Sequence, residues 1–444
     1  MATQNQQNCR GRFLIACWWL IGLAQMSWKM VVGIAKKTKK IEKDDPRRII
    51  HGLKAGLALT LVSLTYLYHP FYEVLGVNAI WAVLTVVVVF ELSVGATLGK
   101  SMNRTMATML GSVAGLGAHH LASASGHIGE PILLATFVFI IAAVVTFTRF
   151  FPAVKTRYDY GLSIFILTFT LVAVLAYRDN QVLRTVQMRI ETIVIGCLVS
   201  VVINIGVYPF WMGEDLHNLI VQNLEKLAIF FEGFGREYFQ AFEDGQSNDD
   251  KSFLEKYKSV LASKSNEQNM ANLAKWEPCH GRFRFFHPWK QYLKIGNLAR
   301  ECAYRIEALN NILQSEIQAP IEIRNKFAES CTNVSLECGK ALKEIASDFK
   351  VMKRSNTSAY IEKLNAAAED LNLLLRTNMW EGAALVDVVP VASIASILLE
   401  AARITEKISD AINELASMAP FKDSEPTVST DQPDMLALGM LQPV

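Results

Sequence analysis

The side chains that could do chemistry in this sequence are charged groups placed inside or beside long apolar runs. Residues 81 to 90 carry no charge, Thr85 is their polar side chain, and Glu91 follows them directly. Lys54 interrupts a second apolar run and Arg189 opens a third. Ionisable groups inside membrane-spanning segments are costly and commonly mark a transport pathway. These charges therefore predict electrostatic handling of an ion, not covalent catalysis.

Residue patterns typical of enzymes or metal sites do not accompany these charges. The seven cysteines are scattered without a CxxC pair, and the sequence contains neither a Walker A motif nor HExxH. The second half shows no nucleophile–base arrangement. We therefore expect no catalytic residues, no enzymatic activity, no cofactor, no metal site and no nucleic-acid partner.

The distribution of apolar residues predicts an all-α membrane protein with six transmembrane helices followed by a cytosolic helical domain. Charged residues make up 19% of the chain, below the roughly 25% usual in soluble proteins. A helix needs roughly 17–25 mostly apolar residues to cross a bilayer. The candidate spans cover about 51–69, 77–95, 105–122, 131–149, 159–177 and 189–211, and the third is the least hydrophobic.

The positions of lysine and arginine predict the orientation of these spans. Cytosolic loops are enriched in Lys and Arg, and seven such residues lie between positions 36 and 48. Lys100 and Arg104 follow the second span, and further basic residues follow the fourth. The opposite loops are poorer in basic residues. Both termini are therefore predicted to be cytosolic.

The composition divides the chain into four predicted regions. Residues 1–48 form a cytosolic N-terminal segment, 49–212 a six-span transmembrane pore domain, 213–420 a cytosolic helical domain and 421–444 a disordered tail. Residues 13–24 resemble a signal peptide or an interfacial helix. We favour the helix, because a signal peptide would place the lysine-rich run on the wrong side. Prolines 288, 320 and 390 mark predicted helix starts, and the apolar stretch 388–399 is too short to span a bilayer.

Depth in the membrane suggests how the charges combine. Lys54 and Glu91 fall at similar depth and could form a pair, although Glu91 could instead be a carboxylate close to the interface. Lys100 and Arg104 are predicted at the entry to span three, where the positive-inside rule alone could explain them.

At the outer face, Arg178, Arg184 and Arg189 surround the loop before span six. Topology does not require positive charge there. Arg184 and Arg189 are five residues apart, so on a helix they need not share a face. Basic residues at both ends of a bundle suit an anion pore.

Several longer stretches resemble one known family. They are WAVLTVVVVFELSVGATLGKSMNR (81–104), DPRRIIHGLKAGLALTLVS (45–63), RFFPAVKTRYDYGLSIFILTF (149–169), YPFWMGEDLH (208–217) and WEPCHGRFRFFHPWKQYLKIG (276–296). Over about residues 44 to 420 the chain resembles the aluminium-activated malate transporter family of plant anion channels. The resemblance implies a homodimeric channel in a lipid bilayer, with a pore between the subunits that passes malate, other dicarboxylates, chloride and nitrate.

The resemblance also assigns pore positions, and it implies the plasma membrane, with the tonoplast as the alternative, from the sequence at 91–95. The implied pore residues are Lys54, Trp81, Glu91, Lys100, Arg104 and Arg189, with Arg178 and Arg184 at the outer mouth. The family's usual Lys-Gly-Leu-Asn-Arg here reads Lys-Ser-Met-Asn-Arg at 100–104. This departure leaves both charged residues, Lys100 and Arg104, in place.

A second departure concerns aluminium. Al³⁺, a hard cation, would want carboxylate oxygens, but Asp179 lies in a loop between two arginines, and the other outer acids are Glu73 and Glu130. The sequence therefore argues against aluminium activation.

Two further alternatives remain at this stage. The function could be that of a coupled carboxylate exporter of the aromatic-acid exporter type, with Glu91 as its coupling group, or that of a membrane-anchored scaffold. The aromatic segment 276–292 could build the core of the cytosolic domain. Alternatively, it could hold a ligand through Arg282, Arg284, His287 and Lys290.

Overall fold

The computed structural model describes residues 45–70, 76–178, 181–239, 255–315, 319–354, 358–377 and 384–421. The predicted interfacial helix at 13–24 and nearly all of the predicted tail lie outside these ranges. The chain divides into two compact units, the first ending at Trp211 and the second beginning at Met212. Within the described ranges the structure is helical and contains no strand, which confirms the all-α class.

The first unit, as far as it is described, consists of six α-helices and one short 3₁₀ helix. The 3₁₀ helix, Gly76–Ala79, leads directly into the second α-helix. The α-helices are α1 (Arg47–Leu67), α2 (Ile80–Val89), α3 (Val94–Ser123), α4 (Gly126–Thr148), α5 (Pro152–Ala176) and α6 (Val182–Gly206).

A break in the chain separates α2 from α3. The backbone turns out of the helix at Phe90, and the side chain of Ser93 then caps α3 by accepting a 3.2 Å hydrogen bond from the amide of Ala96. Serine is among the preferred N-cap residues, because its hydroxyl satisfies an amide that the helix leaves unpaired. The prediction that Lys100 and Arg104 precede the third helix is therefore wrong, and both lie within α3.

Five helices are long and apolar enough to cross a membrane by length and composition. They are Arg47–Leu67, Ile128–Thr148, Arg157–Ala176, Val182–Gly206 and Val386–Met418. Helix α2 has ten residues, and α3 does not meet the same criterion. The number of six spans thus stays a prediction, because the second and third candidates do not qualify by themselves.

Glycines bring helices of the first unit close together. A Cβ atom on Gly111 or Gly115 of α3 would lie about 3 Å from atoms of α5, and one on Gly196 of α6 would lie 2.7 Å from the carbonyl oxygen of Ala82 in α2. Small residues at such contacts let membrane helices approach closely. The pair Gly52 and Gly56 in α1, by contrast, has no described atom within 4 Å of such a Cβ.

The second unit is built from helices around one extensive apolar core. The described helices are α7 (Met212–Phe239), α8 (Lys258–Leu261), α9 (Lys264–Ala274), α10 (Trp289–Leu313), α11 (Ile321–Val351), α12 (Ser358–Arg376) and α13 (Leu385–Met418). Pro288 and Pro320 immediately precede α10 and α11. The start predicted at Pro390 is wrong, because α13 begins at Leu385 and contains that proline.

Helix α13 has an apolar face that is covered by protein. Val391, Ile394, Leu398, Ile404 and Ile408 are all fully buried within the core of the second unit. A helix with a stripe of this kind is typical of a packed bundle. Although its composition would permit a membrane span, the buried stripe agrees with the prediction that residues 388–399 form a buried helix face.

Candidate functional site

Among the described residues of the first unit, Lys54 is the most deeply buried cation, with 1% of its surface exposed. Its ammonium group donates a hydrogen bond of 2.7 Å to Oδ1 of Asn204 and one of 3.2 Å to the carbonyl of Tyr208. It also lies 5.0 Å from the centre of the Phe210 ring. A buried lysine is thus held by neutral acceptors and an aromatic face, an arrangement that leaves its positive charge uncompensated.

Asn204 joins Lys54 to the break between α2 and α3. Its side-chain nitrogen lies 2.6 Å from Oγ1 of Thr97, 2.9 Å from the carbonyl of Glu91 and 3.2 Å from that of Ser93. The backbone of Glu91, and not its carboxylate, therefore faces this network. The predicted ion pair between Lys54 and Glu91 is wrong for this reason.

The carboxylate of Glu91 forms its ion pair with Lys100, one turn or two into α3. Both side chains are more than a third exposed. Exposed ion pairs contribute little to stability, so this pair sets local charge more than it holds the fold. Lys100 also lies 5.9 Å from the centre of the Tyr160 ring.

Arg104 is 7% exposed and reaches two different helices from α3. Its Nε donates a 3.1 Å hydrogen bond to Oγ1 of Thr85 in α2, and Nη1 donates one of 3.2 Å to the hydroxyl of Tyr160 in α5. Both acceptors are uncharged. The break before α3 makes this possible, because it places Arg104 inside a helix that packs against α5.

Arg189 lies in α6 with 5% of its surface exposed. Its guanidinium carbon stands 4.0 Å above the centre of the Trp81 ring, a cation–π contact between α6 and α2. Arg104 is close enough to Arg189 to repel it electrostatically. Three predicted site residues, Trp81, Arg104 and Arg189, are thus brought to one region.

The shared property of Lys54, Arg104 and Arg189 is burial without a carboxylate partner. Within the described ranges none of the three forms an ion pair with Asp or Glu, and their contacts are with an amide, hydroxyls, a carbonyl and aromatic rings. Buried charges are normally paired. Three such cations in one helical unit can attract and stabilise an anion.

Arg178 and Arg184 are exposed, unlike these three buried cations. Arg184 and Arg189 share α6 but differ in burial, which confirms that they do not share a face. Of the outer acids, Glu130 lies 3.4 Å from Nδ1 of His119, and Glu73 and Asp179 are outside the described residues. The described ranges contain no group of three or more His, Cys, Asp or Glu placed to hold a metal.

Sequence reasoning missed three neutral residues of the site: Thr85, Tyr160 and Asn204. The signal for Asn204 was present. Polar or small residues recur on one side of α6, at Arg189, Thr192, Gly196, Ser200 and Asn204, and all are buried. Tyr160 had no such signal, because only packing of α5 on α3 brings its hydroxyl to Arg104.

In the second unit, the aromatic segment 276–292 is partly core and partly surface. Phe283, Trp289 and Tyr292 are buried, in agreement with a packing role. Phe285 and Phe286 are 64% and 99% exposed, so the prediction that they belong to the core is wrong. Gly281 and Phe286 both have positive φ, so the chain turns sharply at both positions.

Two buried histidines flank the hydroxyl of Tyr292, at 3.2 Å from Nδ1 of His217 and 3.3 Å from Nε2 of His287. Burial lowers the pKa of each histidine to about 4. Both are therefore neutral at physiological pH. A neutral histidine is a poor anion ligand, so the idea of a ligand site here is left without support from His287.

The side chain of Glu277 lies at the N-terminus of α7. Its carboxylate accepts hydrogen bonds of 2.6 Å from the amide of Met212 and 3.1 Å from that of Gly213. A carboxylate at a helix N-terminus is favoured by the helix dipole. Burial, with a smaller contribution from the nearby Asp215 and Glu214, nevertheless raises the pKa of Glu277 to about 7, although the two amide hydrogen bonds oppose this rise.

Comparisons with known proteins point to a single family. A family model described as aluminium activated malate transporter matches residues 39–380. Aluminum-activated malate transporter 2 of Arabidopsis thaliana is 48% identical over 396 residues, covering 88% of this chain and 79% of the relative. Aluminum-activated malate transporter 1 of Triticum aestivum is 41% identical over 409 residues, covering 90% and 88%.

More divergent relatives match the same region. Aluminum-activated malate transporter 12 of Arabidopsis thaliana is 39% identical over 363 residues, covering 80% of this chain and 65% of the relative. Together with several helices apolar enough to span a bilayer, these matches identify a multi-pass membrane protein. The chain belongs to the aluminium activated malate transporter family.

Proposed function

We propose that this protein is a channel that passes malate and other organic or inorganic anions, including chloride and nitrate, passively across a membrane. The observation that carries the proposal is the burial of Lys54, Arg104 and Arg189 with no carboxylate partner among the described residues. The names of the relatives, which are malate transporters, support malate as a permeant ion. We propose no enzymatic activity.

The proposed mechanism is electrostatic. An anion entering the helical unit supplies the negative charge that Arg104 and Arg189 lack. It can leave again because Thr85 and Tyr160 continue to hold Arg104, and Trp81 continues to hold Arg189. Conduction needs binding that is favourable enough for entry and weak enough for exit. Lys54 supplies further positive charge near the N-terminus of α3, where Lys100 is paired with Glu91, and Arg178 and Arg184 supply it at the outer mouth.

The arrangement in the membrane is part of the same proposal. The chain crosses the plasma membrane six times, with both termini in the cytosol and residues 213–420 as a cytosolic helical domain. Two copies form the channel. The basic residues between positions 36 and 48 support this orientation.

A coupled carboxylate exporter is the weaker alternative. Coupling requires a group that titrates or binds a cation during each cycle, and Glu91 was its candidate. The carboxylate of Glu91 is instead paired with Lys100 and more than a third exposed. The predicted outer loops contain few carboxylates, with Glu73, Glu130 and Asp179 as their acids. This scarcity supports a channel that does not need Al³⁺.

The test is a whole-cell recording from oocytes that express the tagged full chain, with malate exchanged for chloride or nitrate, and with or without Al³⁺. The expected reversal potential follows the anion gradient and is indifferent to protons and to Al³⁺. Arg189→Glu should abolish the current at unchanged surface expression, while Arg189→Lys, which keeps the charge, should retain part of it. A proton-dependent reversal potential, or an Arg189→Glu variant with wild-type current, would overturn the proposal.

A further inference from the structure

One loop of the second unit exposes a pair of aromatic side chains. Phe285 and Phe286 are 64% and 99% exposed, and their ring centres are 6.2 Å apart. Phe286 also has a φ of 59°, a left-handed backbone conformation that is rare for a bulky residue. Such strain persists where the surrounding structure imposes it, and it is common at functional positions. An apolar pair held outward in this way is typical of a binding surface.

The base of this loop is fixed to the rest of the second unit. His280 and Phe283 exchange two backbone hydrogen bonds, of 3.1 and 2.9 Å. Phe283 is buried, with its ring centre 5.5 Å from that of Trp289. The amide of Phe285 donates to Sγ of Cys279 at 3.1 Å. Because the base is closed and Phe283 turns inward, the phenylalanine pair is left at the exposed tip.

Basic side chains accompany the phenylalanine pair. Nη1 of Arg282 donates a 3.1 Å hydrogen bond to the carbonyl of Lys350, near the C-terminal end of α11, and this bond joins the two segments. Arg284 in the loop and Lys353 after α11 are exposed, as are Arg282 and Lys350. Within the described ranges none of these four cations forms an ion pair. We call the following residues the basic–aromatic patch: Arg282, Arg284, Phe285, Phe286, Lys350 and Lys353.

The exposed charge around this patch is mainly positive. Glu277, which precedes the loop, is buried against the amides of α7, and Asp348 in the last turn of α11 is half-buried. Glu214 at the start of α7 is exposed, but the four cations outnumber it. Val351 adds apolar surface, since it is 52% exposed. The patch therefore presents cations and apolar side chains to water together.

The patch lies at the end of the second unit where the chain enters it. Nε2 of His217, in the second turn of α7, lies 3.3 Å from the same carbonyl of Lys350. Glu277, which precedes the loop, accepts a hydrogen bond from the amide of Met212. Met212 follows Trp211, the last residue of the first unit, without a linker. Because the protein is a multi-pass membrane protein, the sequence keeps this end of the second unit within reach of a bilayer.

We propose that the basic–aromatic patch docks on the surface of a bilayer that contains anionic phospholipids. Phenylalanine side chains on a basic amphipathic surface insert at the boundary between headgroups and acyl chains, while Lys and Arg stay among the headgroups. Anionic leaflets attract basic residues that lie close to the membrane. Phe285 and Phe286 supply the inserted part, and the four cations contact the lipid phosphates. The inference goes beyond the proposed channel function and does not depend on it.

The test uses the purified full chain in lipid nanodiscs, with a fluorescent probe at the tip of the loop. Cys9, Cys17 and Cys279 are replaced by serine, and the four cysteines that remain are buried. Phe286→Cys is then labelled with nitrobenzoxadiazole. Tyr304→Cys is the matched control, because this residue is 58% exposed and lies on α10, which begins at Trp289. The discs contain phosphatidylcholine alone or with phosphatidylserine, and doxyl-labelled acyl chains serve as quenchers within the bilayer.

In discs with phosphatidylserine, the expected result is a blue-shifted emission of the probe at position 286 and strong quenching by the doxyl lipids, with neither effect at position 304. Raised salt should weaken both effects, because it screens exposed charges. Arg284→Gln should lower the ratio of docked to undocked protein about fivefold, as for the loss of one basic residue at an anionic surface. Lys264→Gln, which changes an exposed lysine of α9, should leave this ratio unchanged.

Quenching at position 286 that is no stronger than at position 304, or that is equal in neutral and anionic discs, would overturn the inference. A probe at 286 that is shielded from aqueous acrylamide yet not quenched by the doxyl lipids would also overturn it, because another protein surface would then cover the patch. Phe285→Cys provides a second tip position if the first variant does not fold. The outcome is separable from that of the channel test, since neither reading uses a current.

Discussion

The ammonium group of Lys54 donates a 2.7 Å hydrogen bond to Oδ1 of Asn204, which lies 150 positions later in the chain. This bond connects α1 and α6. The same asparagine donates to Thr97 and to the backbone at Glu91 and Ser93. One neutral side chain therefore positions a buried cation and the break before α3 together.

Replacing Asn204 by leucine should destabilise the protein. Lys54 would lose its main acceptor, and leaving a buried polar group unsatisfied costs roughly 1–3 kcal/mol, more when it is charged. The expected result is a lower unfolding temperature of the purified full chain in detergent. Asn204→Asp is the companion variant, because it keeps an acceptor and adds a negative charge. It should fold and carry less anion current, and a leucine variant as stable as wild type would refute the role of this bond.

Replacing Gly196 by alanine should also be harmful. The added methyl group would stand 2.7 Å from the carbonyl oxygen of Ala82 and 2.8 Å from Cβ of Thr85. Overpacking of this kind costs roughly 1–3 kcal/mol. Because Thr85 accepts the bond from Arg104, the current should fall as well.

The matched control for this change is Gly117→Ala on α3, where a Cβ would have no described atom within 4 Å. This variant should unfold at or slightly above the wild-type temperature, since alanine has the better helix propensity. Equal effects of the two substitutions would show that tight packing at Gly196 is not what matters.

Glu277 should give the second unit a dependence on pH. The pKa of this buried carboxyl is raised to about 7 from an ordinary value of 4.5. The folded protein then binds the proton more tightly than the unfolded chain, so the stabilising effect is complete below pH 4.5 and is lost as pH rises through 7. The difference corresponds to about 3 kcal/mol.

The measurement is the unfolding temperature of wild type and of Glu277→Gln across this pH range. The amide oxygen can still accept from Met212 but does not titrate. The pKa values of His217 and His287 are lowered to about 4, so these residues make the folded protein more stable as pH rises, opposite to Glu277. Burial also lowers the pKa of the nearby His280, with an effect of the same sign. The difference between the two proteins reports Glu277 together with its contact to His280, whose Nε2 lies 3.8 Å from the carboxylate. The stability of wild type relative to Glu277→Gln should decrease as pH rises, because only the wild-type carboxyl becomes charged.

The helical class and most helix positions follow from the sequence for a simple reason. Long apolar runs can satisfy their backbone in a bilayer only as helices, and the repeating polar and apolar positions of the second half predict amphipathic helices. The errors lie where one residue departs from the pattern of its surroundings: a helix cap within an apolar run, or a proline within a helix. Ser93 caps α3 inside a stretch that hydropathy alone assigns to a single span, and Pro390 lies within a helix instead of opening it.

The candidate cations were likewise predictable, since charge in an apolar run is visible without a structure. Their partners were not. A depth estimate along two spans placed Lys54 near Glu91, but it contained no information about the direction in which each side chain points. Packing places the backbone of Glu91 toward Asn204 and its carboxylate toward Lys100.

By itself, the sequence determined the helical class, the apolar segments and the types of charge within them, because hydropathy and charge are properties of each residue. Only the tertiary structure decided that Lys54, Arg104 and Arg189 are buried with no carboxylate partner among the described residues, and that Trp81 and Tyr160 contact the arginines. The physical reason is that burial and pairing belong to contacts between helices far apart in the chain, which local pattern does not encode.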